Sequence, residues 1–250
     1  MPEDNKNHKK RKMEYESSYS EMSLVAAEKR LGLNFQTFVS EATSVDRMLA
    51  EAGCVGGNIV DAIINGMKQK VSSNIFEYLN FEGYPTEACP DFKRANINDL
   101  ILYIIGPILW GFNIVLGEGN VVLRREKEII SPDSKTGGCG EFVVVEESWV
   151  NDLLILIIES KPCLGEAIKH CLLAMKDMWS SNAKGKVYGF IMTGEDWRMA
   201  SYDGITPQMT EKFTVSLTTK SRDQVSVLVD CIIAALRSGG IKIGEKDIGF

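Results

Sequence analysis

Residues 153–161 read LLILIIESK, and this stretch limits the fold more than any other part of the chain. Six consecutive Leu and Ile residues leave no polar face, so a strand built from them needs cover on both sides. The centre of a sheet flanked by helices supplies that cover. Alternation along the strand sends Glu159 and Lys161 to one side and Ser160 to the other. Two ionised groups at the end of the most buried strand cost several kcal/mol each unless they are paired or bind something. A divalent cation together with a phosphate satisfies both, carboxylate to metal and ammonium to anion. Ligands in open α/β sheets gather outside the carboxyl ends of strands, which is where these two residues fall.

The rest of the composition fits a folded chain with a small local site. The 250 residues carry 28 Lys and Arg against 34 Asp and Glu, a formal charge of −6. That balance excludes a strongly basic nucleic-acid coat, whose binding by counterion release needs a visible cationic excess. It leaves room for an enzyme that meets nucleic acid at one place. The six cysteines, Cys54, Cys89, Cys139, Cys163, Cys171 and Cys231, are scattered without a CxxC pair. Two histidines hardly suffice to complete a zinc site around Cys163 and Cys171. The first residues are polar and charged rather than a secretory leader. Free thiols in a reducing, intracellular compartment are the expectation.

Three regions follow from the pattern along the chain. Residues 1–20 are polar and contain Lys9, Lys10, Arg11 and Lys12, a solvated, disordered basic arm. Such a run serves either as a nuclear import signal or as a charged terminus that aids solubility. Residues 21–90 form a helical N-terminal extension, with Ser44 placed to cap a helix and the GCVGG stretch at 53–57 assigned to a turn. Its Met22, Met48 and Met67 are candidates for adaptable partner contacts. Residues 91–250 hold the main domain. Within it, residues 100–117 carry no charge and are long enough to span a membrane. Pro107, Asn113 and the flanking Asp99 and Glu118, without a Lys/Arg cluster, favour a buried helix instead, and membrane attachment stays as the alternative.

After residue 119 the pattern turns to strands. Residues 121–130 alternate partly, 131–140 (SPDSKTGGCG) read as a turn-rich insert, and 142–145 as a short strand. Residues 164–181 carry an apolar stripe at helical spacing. Residues 186–193 and 197–202 form a hairpin, 213–217 a further strand, and 221–237 a last amphipathic helix. Metal chemistry beside Glu159 needs a second carboxylate. Glu141, at the head of the preceding strand, is the first candidate and Asp133 in the SPDSK turn the second. Mg²⁺ commonly takes one or two carboxylates with water and phosphate completing its shell. The chemistry implied is hydrolysis at phosphorus, with Lys161 steadying the growing negative charge.

This arrangement resembles the PD-(D/E)XK nuclease superfamily, the restriction-endonuclease-like fold. The carriers are a carboxylate on one strand, an apolar strand ending E-x-K, and a helix after it. The runs IIESKPCLGEAIKHCLLAMKDM and KVYGFIMTGEDWRMASYDG are similar to fungal members of that superfamily. The resemblance implies an α/β fold, a mixed sheet flanked by helices. It implies Glu159 as ligand of Mg²⁺ (or Mn²⁺), Lys161 as partner of phosphate and water, and DNA or RNA as substrate. Glu141 stands where the family commonly has Asp, one methylene shorter. Asp99 falls where a preceding-helix acid would be, and His170 occupies the neighbourhood of a common Gln.

Each candidate also has a plain structural reading. Glu159 and Lys161 can form an exposed pair worth less than about 1 kcal/mol, and Glu141 a solvated strand start. His170 can be a surface or satisfied histidine. Trp197 and Tyr202 are candidates for base stacking, with core packing the preferred reading. Lys169, Lys176, Lys184, Lys186 and Arg198 can line a phosphate track or stand as separate solvated charges. The second class of function is a nuclease-fold module without catalysis that binds protein partners through its N-terminal helices.

Overall fold

The computed structural model describes residues 15–53, 58–83, 94–116, 121–148, 152–161, 163–182, 185–193, 195–215 and 222–238. Lys9, Lys10, Arg11, Lys12, Cys54, Cys89 and Lys184 lie outside them. A short strand, β1 (Ser17–Ser18), precedes three brief helices, α1 (Leu24–Leu31), α2 (Phe35–Ser40) and α3 (Val45–Ala52). Ser23, Asn34 and Ser44 each accept a first-turn amide of the helix they precede, so Ser44 caps as expected. Gly53 ends α3 with a φ of 83°, a left-handed conformation that suits glycine.

Two long helices, α4 (Asn58–Glu82) and α5 (Arg94–Leu116), then pack side by side. Tyr78 at one end bonds the Asn96 carbonyl, and Gly111 at the other makes room for the Met67 side chain. Leu100, Ile101, Ile104, Ile105, Ile108 and Phe112 of α5 are buried, as the uncharged stretch predicts for a core helix. Trp110 and Ile114 remain exposed on it. Ala95–Ile114 is long and apolar enough to cross a membrane, and 44% of that window is buried inside the protein.

The remaining elements run β2 (Val121–Ile130), β3 (Thr136–Glu146), β4 (Leu153–Ser160), α6 (Leu164–Ser181), β5 (Val187–Thr193), β6 (Asp196–Tyr202), β7 (Pro207–Met209), β8 (Phe213–Thr214) and α7 (Arg222–Ser238). Strands β2, β3 and β4 form an antiparallel meander, α6 crosses over to β5 parallel to β4, and β6 returns antiparallel. Both β7 and β8 pair with β6. The fold is therefore mixed α/β, an open mixed sheet of eight strands with seven helices among the described residues. LLILII is the sheet centre: Leu154 to Ile158 are buried, with α4, α5 and α7 against one face and α6 and α1 against the other.

Four expectations change. The insert at 131–140 is a turn only as far as Lys135, because TGGCG pairs with β2 from Gly137↔Ile130 to Gly140↔Lys127. Gly137 and Gly138 lack a Cβ where the rings of Tyr15 and Tyr19 lie against them. The expected disordered arm thus ends earlier: Ser17 and Ser18 pair in parallel with Thr136 and Gly137, and Tyr19 is 2% exposed. Met48 and Met67 are core residues rather than contact surface, at 1% and 6% exposure. Of the strand expected at 213–217, Phe213–Thr214 forms, Val215 lies past its end, and residues 216 and 217 lie outside the described residues.

Candidate functional site

The ladder between β3 and β4 ends at the pair Phe142↔Ile158, and beyond it the two strands part. A strand has two pairing edges, and β2 holds one edge of β3 along its length. The other edge is held by β4 on one side of the fork and by β1 on the other. Glu141 and Glu159 stand at the fork, one step past the last pair. Their carboxylates continue the ladder that the backbone abandons. The Glu141 amide donates to Glu159 Oε1 at 3.2 Å, and the Ser160 amide donates to Glu141 Oε2 at 3.0 Å. Glu141 is therefore within β3 rather than at its start, and it is buried instead of solvated, at 6% exposure.

Glu159 is the most enclosed of the three candidates, at 1% exposure. Its Oε2 lies 3.4 Å from Lys161 Nζ, an ion pair, yet has no hydrogen-bond partner among the described residues. The exposed-pair reading of Glu159 and Lys161 is thus set aside. Burial pushes the Glu159 carboxyl up to about 7, with the Glu141 charge adding to the rise. The Lys161 ammonium and the Glu141 amide oppose it. Burial, and then the charge of Glu159, raise the Cys171 thiol, which sets the acid beside the first half of α6. The Lys161 amide bonds the Met192 carbonyl at 3.3 Å, so β5 anchors the residue that carries the ammonium.

These residues fit a divalent cation by their chemistry: two carboxylates on adjacent strands and one buried oxygen without a hydrogen bond. Among the described residues, no group of three His, Cys, Asp or Glu side chains stands ready to hold a metal.

The other candidates go elsewhere. Asp133 belongs to the β2–β3 turn, where Ser131 Oγ donates to it at 2.6 Å and the Lys135 amide at 3.2 Å. These bonds hold its carboxyl below the usual range. It precedes β3 by three residues, and five more pleats, roughly 17 Å, separate Thr136 from Glu141. Asp133 is therefore not the second ligand. Asp99 is exposed on α5, where its charge reaches Tyr78 of α4. His170 lies edge-on to Tyr19 with centroids 6.4 Å apart, and its Nε2 is 3.9 Å from Glu166.

Among the described residues, Lys169, Lys176, Lys186 and Arg198 form no continuous phosphate track. Lys169 is 2% exposed and donates to the Met22 carbonyl at 2.9 Å, while Lys176 donates to the Arg30 carbonyl at 2.6 Å. Both serve to seat the N-terminal segment on α6. Lys186 lies over the Tyr188 ring, and Arg198 donates to the Thr210 carbonyl. Trp197 is core, at 2% exposure, and Tyr202 packs edge-on against Trp179. A cleft of about 200 Å³ lined by Phe38, Glu41, Arg47, Pro207 and Met209 contains none of the candidates.

The sequence reading missed Asp177. It is 1% exposed on α6 and accepts from Tyr19 Oη at 2.9 Å, Thr136 Oγ1 at 2.8 Å and Arg30 Nη2 at 3.1 Å. Its only sequence sign is an acid on the otherwise apolar stripe of α6. No protein-family model matches the chain, and no curated protein matches it significantly.

Proposed function

We propose that the protein is a metal-dependent nuclease of the PD-(D/E)XK type, with a restriction-endonuclease-like fold, that hydrolyses phosphodiester bonds of nucleic acid. The observation that carries this reading is the convergence of Glu141, Glu159 and Lys161 at the β3–β4 fork, with Glu159 Oε2 buried and short of a hydrogen bond. The chain order of strand carboxylate, apolar strand ending E-x-K and crossover helix supports it further.

Glu141 and Glu159 would hold Mg²⁺ or Mn²⁺. When bound, such an ion supplies Lewis acidity toward a phosphate oxygen and toward water. The chain's own residues provide the rest. The cross-strand bonds hold both carboxylates in place before substrate arrives, which lowers the cost of orienting them. Lys161, 18% exposed in its side chain, keeps an ammonium at the edge of the buried acid. There it steadies negative charge developing on phosphate. The basic run Lys9, Lys10, Arg11 and Lys12 is consistent with work in the nucleus.

One observation favours the second reading, a nuclease-fold module without catalysis that binds partners. Each glutamate already accepts a main-chain amide, so the pair can serve to lock β3 to β4 where the ladder ends. One experiment separates the two. Purified protein is incubated with labelled DNA or RNA and Mg²⁺ or Mn²⁺, beside Lys161→Ala. Cleavage by the wild type that falls about 100-fold or more in the variant supports the nuclease. Equal cleavage by both removes the proposed site, and no cleavage with no heat of Mn²⁺ binding at millimolar levels supports the module.

A further inference from the structure

The long helices α4 and α5 leave one apolar stripe without cover. Along α5, Tyr103, Gly106, Trp110 and Ile114 follow at three- and four-residue steps, so they stand one above another on one face. The Phe81 ring of α4 extends the row, its centroid 6.3 Å from that of Tyr103. Trp110 is 71% exposed, Phe81 64% and Ile114 54%, and Gly106 is exposed as well. No residue of α5 beyond Asp99 carries a charge.

Two details set the form of this stripe. Pro107 withdraws the amide that would bond the Tyr103 carbonyl, and Asn74 of α4 donates to that carbonyl instead, at 3.3 Å. The helix is thus braced beside its exposed rings. Gly106 has nothing within 4 Å of the place a Cβ would take, so no contact inside the chain calls for glycine there. Glycine within a helix costs stability relative to alanine. Here it opens a gap midway along the stripe, between Tyr103 and Trp110.

The area of the stripe fits a second copy of the chain. Aromatic side chains bury about 150–250 Å² each, so these exposures offer on the order of 400 Å² of apolar surface per copy. With the half-buried Leu102, Tyr103 and Pro107 included, two such faces remove about 1,000 Å² from water, where biological interfaces begin and below the roughly 1,200–2,000 Å² of stable complexes. Freedom from charge also spares two acidic chains a like-charge contact. A lipid surface fits less well. Helices α4 and α5 carry Lys68, Lys70 and Arg94 against Asp61, Glu77, Glu82 and Asp99, without the cationic excess of interfacial helices.

We propose that this stripe is the interface of a weak symmetric dimer, a second copy of the chain laid across α5 with Gly106 at the two-fold axis. Such a contact sets the same patch of both copies face to face. Antiparallel α5 helices then bring Trp110 of each copy to Tyr103 of the other, over the gap that the glycines leave.

The test is sedimentation equilibrium of the full chain, for wild type, Trp110→Glu, Gly106→Leu and Ile205→Glu. The expected wild-type result is a mass that rises toward twice that of one chain, with a dissociation constant on the order of 10–100 µM. Trp110→Glu and Gly106→Leu each weaken association at least about 10-fold. Gly106→Leu does so without lowering the urea midpoint of dilute protein, since the space beyond Gly106 is open. Ile205, 87% exposed in the β6–β7 turn, is the control, and its change to Glu alters association by less than about twofold. A wild type that stays monomeric throughout overturns the proposal, as does a dimer that neither stripe variant weakens or that Ile205→Glu weakens equally. A monomer that co-sediments with phosphatidylcholine vesicles, and ceases to with Trp110→Glu, assigns the face to lipid and likewise overturns it.

Discussion

Two carboxylates, Asp177 and Glu159, are equally buried at 1% exposure, yet their surroundings differ in kind. Asp177 receives three donors from three separate segments: Tyr19, Thr136 and Arg30. Both of its oxygens are satisfied. Glu159 receives one amide and faces one ammonium, and Oε2 has no hydrogen bond. Burial raises both carboxyls; hydrogen bonds from Thr136, Tyr19 and Arg30 oppose it at Asp177, and the Lys161 ammonium and the Glu141 amide oppose it at Glu159. A buried acid whose bonds are complete ties the fold together. One left short of bonds keeps capacity for something from outside.

The sharpest way to break this contrast is Asp177→Ala. It leaves the Arg30 guanidinium, the Tyr19 hydroxyl and the Thr136 hydroxyl without their acceptor, and the expected loss is about 3–5 kcal/mol. Urea unfolding measures it, and a loss below about 1 kcal/mol would show that the network contributes little.

Next in size is the pH dependence set by Glu159. Its folded carboxyl sits at about 7 against an ordinary 4.5, so the folded state holds a proton that the unfolded chain has released. Stability therefore falls as pH rises from about 4.5 to about 7, by on the order of 3 kcal/mol. Glu159→Gln removes that fall, since the amide does not ionise. Urea midpoints measured from about pH 4 to about pH 8 in both proteins decide it, and parallel pH profiles would contradict the assignment.

The smallest effect expected is that of Tyr19→Phe, about 1 kcal/mol. It withdraws one donor and leaves Arg30 and Thr136 on Asp177. If this change cost as much as Asp177→Ala, the three donors would act as a single unit, not as separate contributions.

What the sequence revealed was mostly local. The central strand at 153–160, the helix at 164–181 and the hairpin at 187–202 follow from apolar runs, periodicity and a turn, and each forms where expected. The convergence of Glu141 with Glu159 was legible because alternation and strand order constrain it. The strand character of TGGCG was hidden. Its glycines carry no side-chain pattern, and it becomes a strand through β2 and the tyrosine rings laid on it. Lys169 and Lys176 looked like members of a basic rim, but their partners are carbonyls of Met22 and Arg30, far away along the chain. No local window shows such a bond.

The seat of Tyr19 has a consequence for how the molecule is made. The residue that holds its hydroxyl lies 158 positions further on. During synthesis the early segment emerges long before α6 exists to receive it, and the closure entropy of so long a loop delays docking further. Ser17 to Arg30 must therefore wait as an unattached thread while the sheet assembles, and its arrival is a late event that fastens a structure already largely built.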